Sequence, residues 1–329
     1  MPSLTSHDVV RMRDQLFFDG PDGGRKTSRF WLLLVLSGVI ATTGVIADSI
    51  ATVIGAMIVA PLMVPILGTV VAIVLADRRH ATRSITLVAT GAMSVVAIAF
   101  GLALLIDTPI VAATNDQVAA RVSPRLVDLV AALATGVVGA VAMARDDIAD
   151  TLPGVAIAIS LVPPLAVIGL TAESGAYSEA LGAALLFLTN VSAILAAGLV
   201  VMSVFRLSRF AGTGPQRGQP FHRRRAVIVV VLSLVVIAVP LGLTSQRIGT
   251  IERIESTVNG LVTDWAAASD WEVLETTWKP PDEVVVRVSG PEPSPDTDEL
   301  RSRFADSDVG GVRIDVELVP TTRVLLGDD

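Results

Sequence analysis

One apolar, proline-interrupted pattern occurs twice in this 329-residue chain at a fixed spacing. The first copy runs from Asp48 through Gly55 and Pro61 to Pro65; the second runs from Asp147 through Gly154, Ser160 and Pro163 to Pro164. An offset of 99 residues relates Asp48 to Asp147, Gly55 to Gly154, Pro61 to Ser160 and Pro65 to Pro164. A duplicated apolar span broken by proline points to a membrane core with two-fold pseudo-symmetry, an architecture that transporters use.

The composition agrees with a membrane protein. Hydrophobic residues make up 52% of the chain and charged residues 17%, with a mean hydropathy of +0.65, whereas soluble domains carry nearer a quarter charged residues. There is no cysteine, which excludes disulfides and thiolate chemistry. Only Lys26 and Lys279 represent lysine, while arginine and alanine abound, a GC-rich bias that suggests an actinobacterial source. Residues 1–29 do not read as a cleaved signal peptide.

Seven stretches are long and apolar enough to cross a bilayer as helices: Phe30–Ala47, Ile50–Ala76, Ser84–Ile106, Leu126–Ala144, Thr151–Leu170, Ala180–Phe205 and Ala226–Thr244. The first two must fold back on each other, and Asp48-Ser49 is the polar dipeptide placed for that reversal. Arg25, Lys26 and Arg29, then Arg78, Arg79 and Arg83, then the arginines from Arg206 to Arg225 fall on one side. Excess base marks that side as cytoplasmic. The expected topology has the N-terminus inside and the C-terminal domain outside a bacterial cell membrane.

The pattern divides the chain into an N-terminal amphipathic segment (1–29), transmembrane repeat 1 (30–106), transmembrane repeat 2 (107–205), a basic cytoplasmic linker (206–225), a seventh helix (226–246) and a soluble domain (247–329). Each repeat holds three spans, an odd number, so the second enters from the opposite side. The expected fold is an all-α membrane bundle of seven helices with a 3+3 inverted repeat, plus a small α+β domain. Residues 247–329 carry 8 basic and 18 acidic side chains, a balance that disfavours an anionic lipid surface. Their pattern reads helix (Arg247–Ala268), strand (Trp271–Trp278), strand (Glu283–Ser289), helix (Thr297–Phe304), strand (Gly311–Val319), with Lys279 to Asp282 as the hairpin turn. The N-terminal helix Ser6–Phe18 fits either the inner leaflet or the cytoplasmic ends of the bundle.

Proline within a span removes a helical hydrogen bond, and the freed groups need protein or water partners in hydrocarbon. Pro61 lies 13 residues beyond Asp48, roughly 20 Å along a helix and so near mid-membrane. Pro61, Pro65, Ser160, Pro163 and Pro164 therefore frame a midplane site for an ion or small polar solute. The bland alternative is a pair of kinks healed by neighbouring helices. Thr189 and Asn190, mid-span, complete the expected site, although an interhelical hydrogen bond also accounts for Asn190. Asp48 and Asp147 lie near opposite interfaces, either as helix caps or as ion-coupling acids. His7, His80 and His222 lie outside the spans, and no hydrolase elbow, zinc motif or nucleotide-binding loop is present. No catalytic residue, cofactor or metal is expected.

The runs Ile54–Met63, Ser123–Ala140, Pro153–Leu165 and Leu186–Val191 resemble a family of bacterial and archaeal membrane proteins known as domain of unknown function 389 (DUF389). That family often has Asn before the acid at the first motif; here Ala47 stands there. The resemblance implies a polytopic membrane protein and supplies no catalytic residues. Two functions follow from the residues: a transporter or channel, or a membrane-anchored sensor or scaffold whose acidic domain binds an envelope ligand. The expected partners are the lipid bilayer, a small solute or ion and further copies of the chain, with no nucleic acid.

Overall fold

The computed structural model describes residues 4–145, 161–210, 228, 232, 254, 256–279, 283–305, 307 and 312–321. The chain forms two compact units, Met1–Gly242 and Leu243–Asp329. The first is helical: α1 (Ser6–Leu16), α2 (Gly23–Ile46), α3 (Ile50–Val59), α4 (Met63–Val74), α5 (Arg78–Ala103), α6 (Asp116–Val122), α7 (Leu126–Ala144), α8 (Val162–Glu173) and α9 (Tyr177–Val204).

Four of these helices, α2, α5, α7 and α9, are long and apolar enough to cross a bilayer, and α3 with α4, bent by 43°, qualifies as a fifth crossing. Leu32, Ile54, Met93, Val127, Leu188 and Val200 are exposed on their outer faces. Such a surface suits hydrocarbon rather than water. This is a membrane protein of apolar helices. The expected spans Thr151–Leu170 and Ala226–Thr244 lie partly or almost wholly outside the described residues, so the count of seven is not reached within them.

The reversal between α2 and α3 falls at Asp48-Ser49. Asp48 adopts a left-handed φ of 49°, which Asp tolerates better than most residues, and the Ser49 amide bonds back to the Gly44 carbonyl at 2.8 Å. The Ser49 hydroxyl then caps α3 by accepting the Thr52 amide. One end of the bundle gathers this turn with residues 110–117 and 174–179. There, Asn115 Nδ2 donates to the Val45 carbonyl (2.7 Å), the Ile110 amide to Ser174 Oγ (3.0 Å) and the Ala112 amide to Glu179 Oε2 (2.9 Å). The other end gathers α1, the loop to α2 and the α4–α5 turn. Here His80 lies between Asp77 (2.7 Å) and Asp19 (2.6 Å), stacked on Phe17, and Arg13 reaches Asp77. Burial pushes the Asp19 carboxyl up, but the hydrogen bond and charge of His80, with a main-chain bond and Arg13, together hold its pKa below the usual carboxylate range. Val9, Met12 and Leu16 of α1 are buried, so this helix packs on the bundle, chiefly against α4.

These ties fix helix directions. α2 and α5 end where α9 begins and where α6 leads into α7; α4 ends at the opposite end from α8. Hence α2 opposes α7, α4 opposes α8 and α5 opposes α9 in direction. The sequence offset of 99 carries into the backbone. Helix α4 begins at Met63 and α8 at Val162, both with 12 residues, and α5 begins at Arg78 where α9 begins at Tyr177. Both short helices end in the same left-handed turn, at Ala76 (φ 56°) and Gly175 (φ 75°). In one turn the Asp77 amide bonds the Ala72 carbonyl at 2.8 Å; in the other the Ala176 amide bonds the Thr171 carbonyl at 2.8 Å.

Small residues set the helix contacts. A Cβ on Gly169 of α8 would sit 2.6 Å from the Ala99 Cβ of α5 and 2.5 Å from the Val96 carbonyl oxygen. A Cβ on Gly198 of α9 would sit 2.9 Å from Val70 of α4. The offset converts Ala99 into Gly198 and Val70 into Gly169, so each contact is the other with its partners exchanged.

The second unit has a helical stretch over residues 256–267 (α10), strands β1 (Glu272–Lys279) and β2 (Glu283–Gly290), α11 (Thr297–Ala305) and β3 (Arg313–Pro320). The sheet order is β1-β2-β3, with β1 and β2 antiparallel and β2 and β3 parallel. Its core is Val258, Val262, Trp265, Trp271, Val284, Val286, Val288 and Leu300. The indole N–H groups of Trp265 and Trp271 donate to the carbonyls of Asp296 and Pro291, so neither ring is buried with its polar group unmet.

Candidate functional site at the interrupted helix

The interruption between α3 and α4 follows from Pro61. The residue before a proline is driven out of the α region, and Ala60 is extended (φ −65°, ψ 124°), so α3 stops at Val59. Pro61 has no N–H to offer the Met57 carbonyl. Among the described residues, the amides of Leu62 and Met63 make no main-chain bond back to α3. The last carbonyls of α3 and the amides of Leu62 and Met63 thus lack main-chain partners at the break, while the Val64 amide bonds the Pro61 carbonyl. Pro65 sits in the first turn of α4, where a missing N–H costs no helical bond, and its carbonyl accepts the Thr69 hydroxyl at 2.9 Å. The Ser37 hydroxyl of α2 donates to the Ala56 carbonyl at 2.9 Å, pinning the last full turn of α3.

A cavity of about 600 Å³ opens beside the break. Met57, Ile58, Val59, Ala60, Pro61 and Val64 form one wall; Phe30 and Leu33 of α2, with Phe17 and Phe18 of the α1–α2 connection, form the other. Gln15, Lys26 and Arg29 line its outer part, and no acidic side chain lines it. The Lys26 ammonium donates to the carbonyls of Asp14 and Phe17 at the end of α1.

The second copy is described from Leu161 onward. Pro163 and Pro164 occupy the first turn of α8 and are buried, as are Leu161, Val162 and Leu165. Thr189 and Asn190 of α9 are buried too, and the Thr189 hydroxyl donates to the Leu185 carbonyl at 2.7 Å. Its offset partner Thr90 donates to Thr86 at 2.7 Å in the same way. Asn190 corresponds by the offset to Gly91, which packs beside Leu34 and Leu62 at the first break. Asp48 lies at the end of the bundle, away from the cavity, and accepts the Gln117 amide of α6 at 3.0 Å. Ser160 and Asp147 lie outside the described residues. The structure therefore lines the cavity with Pro61, puts Pro65 behind it, seals Pro163 and Pro164 in the core and holds Asp48 apart.

Sequence reasoning took Lys26 and Arg29 only as topology signals. The available clue was their spacing of three, which sets both on one helix face next to Phe30 and Leu33. No group of three or more His, Asp or Glu side chains placed to hold a metal occurs among the described residues.

Residues 57–196 match the family described as "Domain of unknown function (DUF389)". The matched stretch contains the break, α4 to α8 and most of α9. A curated relative, "Uncharacterized protein MJ0678" of Methanocaldococcus jannaschii, is 29% identical over 199 residues, 60% of this chain and 61% of its own length. The chain thus matches somewhat under two thirds of that relative. No solved structure matches the chain significantly.

Proposed function

We propose that the chain is a transporter or channel for an ion or small polar solute, built as a 3+3 inverted repeat around two proline-started half-helices. The observation that carries this reading is the exchanged contact pair: Ala99 with Gly169, and Gly198 with Val70. A two-fold relation between halves produces such an exchange, and opposed helix directions put its axis in the membrane plane. The matching bounds of α4 and α8 and their matching end turns support it further.

In this reading α3 and α4 form one span whose break exposes carbonyls and amides near mid-membrane. The first break lies open on the cavity. An open break of this kind is what a solute path to main-chain carbonyls and amides requires. The end with Arg13, Arg25, Lys26, Arg78 and Arg79 is cytoplasmic, and the end with Asp48, Asp116, Glu173 and Glu179 faces outward. Asn190 supplies the side-chain amide to the second half-site.

The test is flux in proteoliposomes of the purified full chain against a panel of inorganic ions and small polar solutes. The expected result is saturable uptake by wild type and at least about a tenfold loss in Asn190→Leu, since a buried polar contact to the solute is worth about 1–3 kcal/mol. Wild type inert to the whole panel, or Asn190→Leu folded and fully active, would contradict the assignment.

A further inference from the structure

We infer that the cavity beside the first interruption binds an anionic phospholipid, its phosphate between Arg29 and Lys26 and one acyl chain descending between α2 and α3. The inference needs the chain to sit in a bilayer but does not depend on transport.

Charge comes first. The cavity lining carries two cations and no acid. The neighbouring basic residues are already compensated: Arg25 pairs with Asp22 at 2.9 Å and Arg13 with Asp77 at 3.4 Å. Among the described residues Arg29 has no hydrogen-bond or ion-pair partner. Lys26 uses two donors on the α1 carbonyls and keeps a third. A planar guanidinium beside an ammonium suits a phosphate oxygen pair.

Depth comes second. Arg29 lies 17 residues before Ile46, the end of α2, roughly 25 Å along the helix axis. In a hydrocarbon core of about 30 Å that puts Arg29 at headgroup level. Below it the lining turns apolar, through Phe30, Leu33, Met57 and Ile58, down to Pro61. Polar above and apolar below is the profile of a lipid rather than of a soluble anion. The cavity also meets the outer faces of α2 and α3, where Leu36 and Ile58 are 48% and 54% exposed, so a lipid can enter sideways. Basic pockets between helices on the cytoplasmic side recognise anionic headgroups in this manner.

The test is native mass spectrometry of the full chain, delipidated in neutral detergent and titrated with phosphatidylglycerol or phosphatidylcholine of the same acyl chains. Wild type is expected to retain phosphatidylglycerol in preference to phosphatidylcholine. Arg29→Gln should weaken that retention roughly tenfold through loss of a charge-assisted bond. Leu33→Trp should do the same by filling the chain path, and Arg25→Gln should leave it unchanged. Each variant is checked for an unaltered elution volume and helical content. Soluble glycerophosphoglycerol should fail to compete; if it binds as well as the lipid, the site is one for a free anion and the inference is overturned. Equal retention of the two lipids, or wild-type retention by both folded Arg29→Gln and Leu33→Trp, overturns it as well.

Discussion

The two halves of the bundle begin their short helices at equivalent residues, Met63 and Val162, and bury both starts, yet pack different atoms in their exchanged contacts. In the first half the chain ahead of the helix is extended at Ala60, and Pro61 looks into a cavity. In the second half Pro163 and Pro164 are buried and Leu165 is 2% exposed, as Pro65 is buried and Ile66 1% exposed at the start of α4. The backbone landmarks and the burial of the helix starts are therefore symmetric, while the atoms that meet in the exchanged contacts are not. Local chemistry, such as prolines in a first turn and a left-handed closing turn, is repeated faithfully because it is written in the sequence. Contacts are decided by what lies alongside: α1 packs chiefly against α4, and its connection to α2 lines the cavity at the first break.

The largest effect expected from this difference concerns the exchanged contacts. Gly169 faces main-chain atoms of α5, which cannot yield, whereas Gly198 faces the side chain of Val70, which can rotate away. Gly169→Ala should cost about 3 kcal/mol of stability and Gly198→Ala about 1 kcal/mol. Thermal unfolding in detergent reads both. Equal costs would mean that the two contacts are tighter partners than their atoms indicate.

A smaller effect sharpens the distinction between cap and coupling acid. Asp48 accepts the Gln117 amide and so ties the α2–α3 turn to α6. Asp48→Ala should lower stability by about 1 kcal/mol, as loss of a helix cap does, and leave flux unchanged. Folded Asp48→Ala without flux would move the residue from scaffold to coupling.

Much of this was legible from sequence where the signal is local. Pro61 announces the end of α3 because it acts on its own neighbour, Ala60. Asp48-Ser49 announces the reversal because Asp accepts a positive φ and Ser caps a helix. Strands β2 and β3 of the second unit announce themselves by residue alternation over Val284–Val288 and Val312–Leu318, which identifies strands but not their order in the sheet. Other features escaped for physical reasons. Helix α5 starts at Arg78, about a turn and a half before the apolar run at Ser84, because Asp77 caps it and arginines do not break helices. Helix α6 has seven residues and too little apolar periodicity to be seen, although Asn115 caps it through the Val118 amide. The cavity needed three separate segments brought together, and no linear pattern reports that. Lys26 and Arg29 consequently read as orientation signals alone. The difference in atoms between the two exchanged contacts was equally invisible, since the offset relates backbone positions and not neighbours.

The central claim is that the two repeats enter the membrane from opposite faces. The chain has no native cysteine, so single cysteines can be read without background. Arg79 and Ser178 are offset equivalents, each the second residue of its helix, α5 and α9. In intact cells, an impermeant maleimide should label Ser178→Cys and should label Arg79→Cys only after permeabilisation. Labelling of both from the same face, with both variants folded, would contradict the inverted repeat and the function built on it.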